Sequence, residues 1–454
     1  MSRLSQFIIF YSALIILTSC SLQKKIGKSA KENVLATPAL QTAHVGITIY
    51  EPATNKYWYD YQGDHYFVPA SNTKIPTCYA AMKYLGDSLI GFKYAITDRI
   101  YMGDTSKNLP YPHTWKIMSI YPNGDPTFLL SEFHYQPMLD FLIRNKMDIS
   151  ISLESWQENA LGSGWSWNDY EETYMAERSV MPAYGNVVGF SGKMDRLKII
   201  PRGIIDTLEN FSSGSYIKSI ERSRVGNRFK IHGAESGDTA ISASFDTQNG
   251  RAVAKLLSDT LKANVDIYGQ SVIPFNRSTL PVIKTQPTDS LLKPMMHRSD
   301  NFFAEQSLLM VSNHLLGYMK DANIIDTLLK TDFKDLPQKP RWVDGSGLSR
   351  YNLFSPRDFV SIFNKMKNEF GMDRIKVILP TGGEGTLSSY YKAEAGYLFA
   401  KTGTLSGVVS ISGFLYTEKN KLLIFSVLVN NHNYSATAVR RAVEKFLEGI
   451  RKDY

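Results

Sequence analysis

The sequence predicts an α+β fold: an antiparallel sheet flanked by helices, assembled from the two ends of the chain and split by a large, mostly β insertion. Three observations carry this. Near the start, "HVGITIYE" and "KYWYDY" flank the turn "ATN" and read as a hairpin, with Val45, Ile47 and Ile49 alternating onto one face. Near the end, "GYLFAKTGT", "GVVSISGFLYT" and "KLLIFSVLVNN" read as three successive strands, the last two joined by the polar turn "EKNK". Between them, from about residue 97 to 285, the chain turns rich in Gly, Ser, Asp and aromatics, with short alternating runs such as "YAITDRIYM" and "DISISLESW".

The elements follow in order. "VPASNTKIPT" opens a helix at Ser71, with Ile75, Cys78, Tyr79 and Met82 recurring on one face up to "YLGDS". A second apolar helix starts at Asn301. The final stretch places Ala438, Ala442 and Phe446, and Val439, Val443 and Ile450, at helical spacing. The expected division is 1–19 as a signal segment, 20–38 as a polar flexible tether, 39–96 with 286–454 as the core, and 97–285 as one or two nested inserted domains.

Bulk properties narrow the function. The 454 residues, 43% hydrophobic and 21% charged, suit a soluble globular chain of two or three domains. The net charge of +8 is spread out, with no basic tract interleaved with aromatics, which argues against nucleic acid. There is no HExxH or CxxC, so no metal or cofactor is expected. Cys20 and Cys78 are the two cysteines, so stability must come from the core rather than from disulfides. At the N-terminus, Arg3 precedes "FIIFYSALIIL", about the length of a secretory apolar region and too short to be a good membrane span. The following Leu17-Thr18-Ser19-Cys20 resembles the lipobox of bacterial lipoproteins, which implies export to the cell envelope or periplasm and a membrane anchor on Cys20.

Three short motifs carry the chemistry. Ser71-Asn72-Thr73-Lys74 is S-x-x-K, Ser299-Asp300-Asn301 is S-D-N, and Lys401-Thr402-Gly403 is K-T-G. S-x-x-K recurs at Ser21/Lys24, Ser215/Lys218 and Ser290/Lys293, so the signal lies in order and context rather than in any one match. A serine hydroxyl needs a base. A lysine serves only when neutral, and at its usual pKa of about 10.4 roughly one in 2,500 is neutral at pH 7. Burial and a second cation lower that pKa. Helical spacing sets Lys74 beside Ser71 near the core, and Lys401 is a candidate second cation. A lysine at the buried end of an apolar helix thus has a chemical reason.

The ordered set is the one shared by class A β-lactamases and penicillin-binding proteins. The chain resembles more closely the D-alanyl-D-alanine carboxypeptidase/endopeptidase family of penicillin-binding protein 4 type. Beyond the motifs, "NGDPTF", "GSGWSWNDY", "MMHRSDNFFAEQ", "VDGSGLSRYN", "PTGGEGTL" and "AKTGTLSGVVSISGF" match that family's segments in order, from about residue 40 to 450. The resemblance implies a β-lactamase/transpeptidase-like core split by inserted domains. It implies Ser71 as acyl-forming nucleophile, Lys74 as its base and Ser299 as proton relay. Asn301 would bind the substrate amide and hold Lys74. Lys401 and Thr402 would recognise the terminal carboxylate, and the backbone N–H groups of Ser71 and Thr404 would form the oxyanion hole. Arg350 would meet a carboxylate on the diamino acid, with Ser406 where some relatives carry a longer polar residue. The implied partners are peptidoglycan stem peptides and, as covalent inhibitors, β-lactams. The alternatives are a β-lactamase, which would lack here its Glu-containing deacylation segment, and a non-catalytic peptidoglycan-binding protein of the same fold.

Overall fold

The structure is a computed structural model and describes residues 23–101, 113–210, 216–236, 240–269 and 277–454. The expected signal segment and Cys20 lie outside the described residues. In chain order the elements are α1 (residues 23–35, ending in a wider turn over Lys31–Leu35), β1 (His44–Glu51), β2 (Lys56–Tyr61), α2 (Lys74–Tyr84), β3 (Ser88–Tyr101), β4 (His113–Pro122), α3 (Pro137–Arg144) and β5 (Asp148–Ser152). Next come β6 (Val187–Ser191), β7 (Lys198–Ile200), β8 (Thr207–Asn210), β9 (Tyr216–Arg222), β10 (Arg228–Ala234), β11 (Ala240–Ser244), α4 (Arg251–Leu261), β12 (Val265–Tyr268) and β13 (Val282–Pro287). The last are α5 (Thr288–His297), α6 (Asn301–Leu316), α7 (Asp321–Lys330), α8 (Pro356–Ile378), β14 (Leu398–Leu405), β15 (Val408–Tyr416), β16 (Leu422–Asn430) and α9 (Ala436–Asp453).

The chain divides into two compact units. One holds the residues up to Tyr79, Lys293–Ser299 and Leu328–Tyr454; the other holds Ala80–Leu292 and Asp300–Thr327. The first unit is built on an antiparallel sheet of order β14-β15-β16-β1-β2. The two chain ends meet where β1 pairs with β16, with Ile47 opposite Val427. Val45, Ile47, Ile49, Ile411 and Val427 face one way and join Val439, Val443 and Phe446 of α9 in one core. The other face meets α8, where the Phe363 and Phe414 rings lie 5.1 Å apart. Helices on both faces explain why β1, β15 and β16 are buried along nearly their whole length.

α1 stands where a flexible tether was expected. Ile26, Ala30 and Val34, spaced by four, are buried in the same core as α9. That spacing puts them on one helical face, and burying Ile26 and Val34 contributes about 1.5–3 kcal/mol each. The polar composition of the segment belongs to the other face.

The second unit is mostly β. Its largest sheet has the order β12-β5-β4-β3-β13, and two three-stranded sheets, β8-β10-β9 and β11-β6-β7, accompany it. β3 is a single strand pairing with both β4 and β13, so the expected limits at 96 and 286 fall inside strands. α6 belongs to this unit too. Its Gln306 Nε2 donates to the carbonyls of Gly124 (2.8 Å) and Ser179 (2.9 Å). Its Glu305 shares the buried Arg178 guanidinium (3.2 Å) with Asp321 (2.7 Å) and Glu158 (3.4 Å). Lys320 also pairs with Glu158 (3.4 Å), and burial pushes Asp321 up to about 6.

Candidate active site

The chain enters the site through a tight turn, Ala70–Thr73, that runs straight into α2. The reading of α2 as a helix with one buried face is corrected by the structure: Asn72 through Met82 are all buried. The polar members are accommodated because each finds a partner. Asn72 Nδ2 donates to Ser412 Oγ (2.7 Å), which donates on to Ser426 Oγ (2.8 Å). Thr73 Oγ1 donates to the Ala70 carbonyl (2.9 Å) and Thr77 Oγ1 to the Gly345 carbonyl (2.7 Å). Buried hydroxyls and amides paired in this way escape most of the cost of leaving water.

Ser71 and Lys74 meet. Lys74 is completely buried, and its Nζ donates to Ser71 Oγ (3.0 Å) and to the Ser346 carbonyl (2.7 Å). The carbonyl gives the amine a second anchor. It sits in a loop wound around buried Asp344, whose carboxylate accepts from the N–H groups of Gly347 (2.9 Å) and Ser349 (2.7 Å) and from Asn352 Nδ2 (2.7 Å). Gly347 has φ +83°, and a β-carbon there would overlap the Ala70 carbonyl oxygen and lie 2.9 Å from Thr73 Oγ1. The loop therefore packs backbone to backbone against the turn that carries Ser71.

The sheet closes the other side. Ser410 Oγ donates to the Pro69 carbonyl (2.7 Å). At Gly403 a β-carbon would lie 2.8 Å from both the Pro69 carbonyl oxygen and the Ser71 nitrogen. The glycine of K-T-G thus allows β14, an edge strand of its sheet, to lie against the serine's own backbone.

Ser299 and Lys401 form a second pair. Lys401 is fully buried, and its Nζ donates to Ser299 Oγ (2.9 Å) and to the Thr402 carbonyl (2.6 Å). Burial first, then the charge of Lys74, holds its amine well below the usual lysine range. Ser299 has φ +64°, a conformation costing a non-glycine residue about 1 kcal/mol or more. His297, two residues earlier, is lowered first by burial, and its Nε2 is buried without a hydrogen bond.

The remaining expected residues are placed as follows. Thr402 Oγ1 donates to Thr386 Oγ1 (2.8 Å), and Thr404 Oγ1 accepts from Arg440. Arg350 is exposed and donates to the Ser406 carbonyl (3.0 Å). Asn301 belongs to the second unit, at the start of α6, and its Nδ2 donates to the Tyr174 carbonyl (2.9 Å). Sequence reasoning gave no role to the Gly345 and Ser346 carbonyls, to Thr386 or to the Asn72–Ser412–Ser426 chain. The quoted segments "VDGSGLSRYN" and "PTGGEGTL" held the first three, but a carbonyl leaves no mark in residue type.

A serine held against a buried amine, beside a second serine–amine pair at a sheet edge, defines the class: a serine-type hydrolase of mixed α/β architecture. The chain belongs to the D-Ala-D-Ala carboxypeptidase 3 (S13) family, whose profile matches residues 28–450. It is 24% identical over 436 residues, spanning 86% of each chain, to the D-alanyl-D-alanine carboxypeptidase DacB of Haemophilus influenzae. Its fold matches the crystal structure of penicillin binding protein 4 (dacB) from Haemophilus influenzae with a TM-score of 0.72 at 18% identity, covering 94% of this chain and 98% of that one. The same protein complexed with a β-lactam matches with a TM-score of 0.66 at 17% identity over the same shares, 94% and 98%. The chain is thus a serine-type D-Ala-D-Ala carboxypeptidase.

Proposed function

We propose that the enzyme removes terminal D-alanine from peptidoglycan stem peptides, or opens D-alanine cross-links, through an acyl-enzyme on Ser71. The observation that carries the assignment is the buried Lys74 amine 3.0 Å from Ser71 Oγ. Lys74 takes the hydroxyl proton as Ser71 attacks the penultimate D-alanine carbonyl. The N–H groups of Ser71 and Thr404 stabilise the oxyanion. The C–N bond breaks, and Ser299 passes a proton to the departing amine. Water then hydrolyses the ester. Lys401 and Thr402 hold the free carboxylate, Asn301 the substrate amide, and Arg350 a carboxylate on the side chain of the diamino acid. β-Lactams acylate the same serine. Family membership and the two serine–lysine pairs support this reading.

The enzyme acts in the cell envelope, exported by the N-terminal apolar segment and held by lipid on Cys20. The "LTSC" sequence supports this part of the proposal.

Labelled penicillin tests the nucleophile. Peptide mapping should place the adduct on Ser71, and Ser71→Ala should stay unlabelled. A label on Ser21, Ser215 or Ser290, or full labelling of Ser71→Ala, overturns the assignment.

A further inference from the structure

The first unit presents a basic edge that the chemistry of the site does not use. Gln23, at the start of α1, donates to the Tyr57 carbonyl (3.3 Å), which seats the helix beside β2, the edge strand farthest from β14. Lys24, Lys25 and Lys56 are exposed there. Lys421, in the turn between β15 and β16, reaches over the Trp58 ring (5.0 Å) and pairs with Glu51 (3.2 Å). Lys419 donates to the Asp453 carbonyl (3.3 Å), next to exposed Lys452. Acidic groups are present as well: buried Glu51 pairs with Lys421 and Glu418 with Arg451 (3.3 Å), while Asp453 is exposed beside Lys452 and Glu448 is near enough to feel the charge of Lys452. Tyr57 and Tyr61 of β2 are each 37% exposed on this edge. Lysines around partly exposed tyrosines suit the polar boundary of a lipid layer.

We propose that this edge lies against an anionic lipid surface, with Lys24, Lys25, Lys56 and Lys452 as the counter-charges. The orientation rests on the proposed lipid at Cys20; the charge does not. Cys20 is three residues before Gln23, so its acyl chains enter the bilayer within about 11 Å of that residue. A free tether over 20–38 would instead reach about 65 Å. The docked α1 removes that freedom and presses the edge to the headgroups. β14, which carries Lys401, is four strand spacings or about 19 Å from β2, although Tyr397, just before its start, meets Arg451 (4.2 Å) at the same end of the sheet.

The test uses the chain from Ser21 onward, which keeps every described element but cannot be acylated. It should sediment with phosphatidylcholine vesicles that contain phosphatidylglycerol and not with pure phosphatidylcholine. The binding should vanish at about 1 M salt, where the Debye length is about 3 Å. Each lysine near the surface is worth about fivefold, so a Lys24→Glu, Lys25→Glu, Lys56→Glu, Lys452→Glu variant, which also adds repulsion, should bind at least several hundredfold more weakly. Lys198→Glu, Lys218→Glu, Lys255→Glu, Lys262→Glu, in the second unit, makes the same change in net charge and should bind as the parent does. Penicillin labelling of both variants checks that they fold. Equal loss in both variants, equal binding to neutral and anionic vesicles, or binding to an acidic glycan polymer without vesicle binding overturns the proposal. Lipidation is read separately: the acylated protein floats with pure phosphatidylcholine whichever lysines it carries.

Discussion

Gly403→Ala probes how closely the sheet edge holds the nucleophile. The added β-carbon would lie 2.8 Å from the Ser71 nitrogen and from the Pro69 carbonyl oxygen, and it would overlap Ser410 Oγ. Ordinary contact begins at 3.4 Å, so the gap must open by about 0.6 Å. A 1 Å misplacement at a reacting centre costs about 100-fold, which makes 0.6 Å worth roughly 15-fold. Overpacking costs a further 1–3 kcal/mol or so of stability. The assay is the second-order rate of acylation by labelled penicillin, read beside a urea melt. Gly396→Ala is the control: Gly396 has φ +79° but open space around it. It should lose about 1–2 kcal/mol of stability and keep its acylation rate. If Gly403→Ala acylates as fast as Gly396→Ala, β14 does not position Ser71, and the close approach is incidental to the chemistry.

Lys74→Arg should cut acylation by several orders of magnitude, because arginine supplies charge but no base, whereas Lys401→Arg should be milder; equal rates would identify another base. Lys401→Met should be more stable than the parent at neutral pH, with the gap closing as pH rises. The folded amine titrates below its unfolded value near 10.5, so between the two the unfolded chain binds more protons and parent stability climbs with pH. A gap in urea midpoints that stays constant from pH 7 to 10 would refute this. Growth with labelled palmitate should tag the parent and not Cys20→Ala; equal tagging leaves an ordinary signal segment.

The hairpin and the three late strands were legible from local periodicity, whereas Ser71, Lys74, Ser299 and Lys401 stood out through the order of three motifs along the chain. α1 was hidden because lysines and polar residues surround Ile26, Ala30 and Val34, so its composition read as a tether. The expected limit at 96 fell inside β3 because texture changes along a strand that continues through it. No local pattern marks Thr73 and Thr77 as buried. Their hydroxyls are buried because carbonyls of the turn and of the Asp344 loop accept from them. That loop arrives from far along the chain, as does the Ser346 carbonyl on Lys74. The positive φ of Ser299 has no sequence signal, since glycine or asparagine would have been the expected choice there.

The expectation that Lys401 is simply a fixed cation needs restating. Its two hydrogen-bond partners, a serine hydroxyl and a backbone carbonyl, are both neutral. It is wholly buried, and Lys74 repels it. The charge of Lys74 therefore disfavours a proton on Lys401. In the proposed mechanism the substrate decides where that proton sits. A carboxylate arriving at Lys401 is an opposite charge in a low-dielectric site, and it raises that amine's affinity for a proton. Charge then settles on Lys401, beside the substrate, rather than at Ser71. A substrate without a terminal carboxylate would bind poorly and also fail to activate the nucleophile. Replacing the terminal carboxylate by an amide should therefore lower kcat as well as raise KM. A change confined to KM would show that the two amines titrate independently.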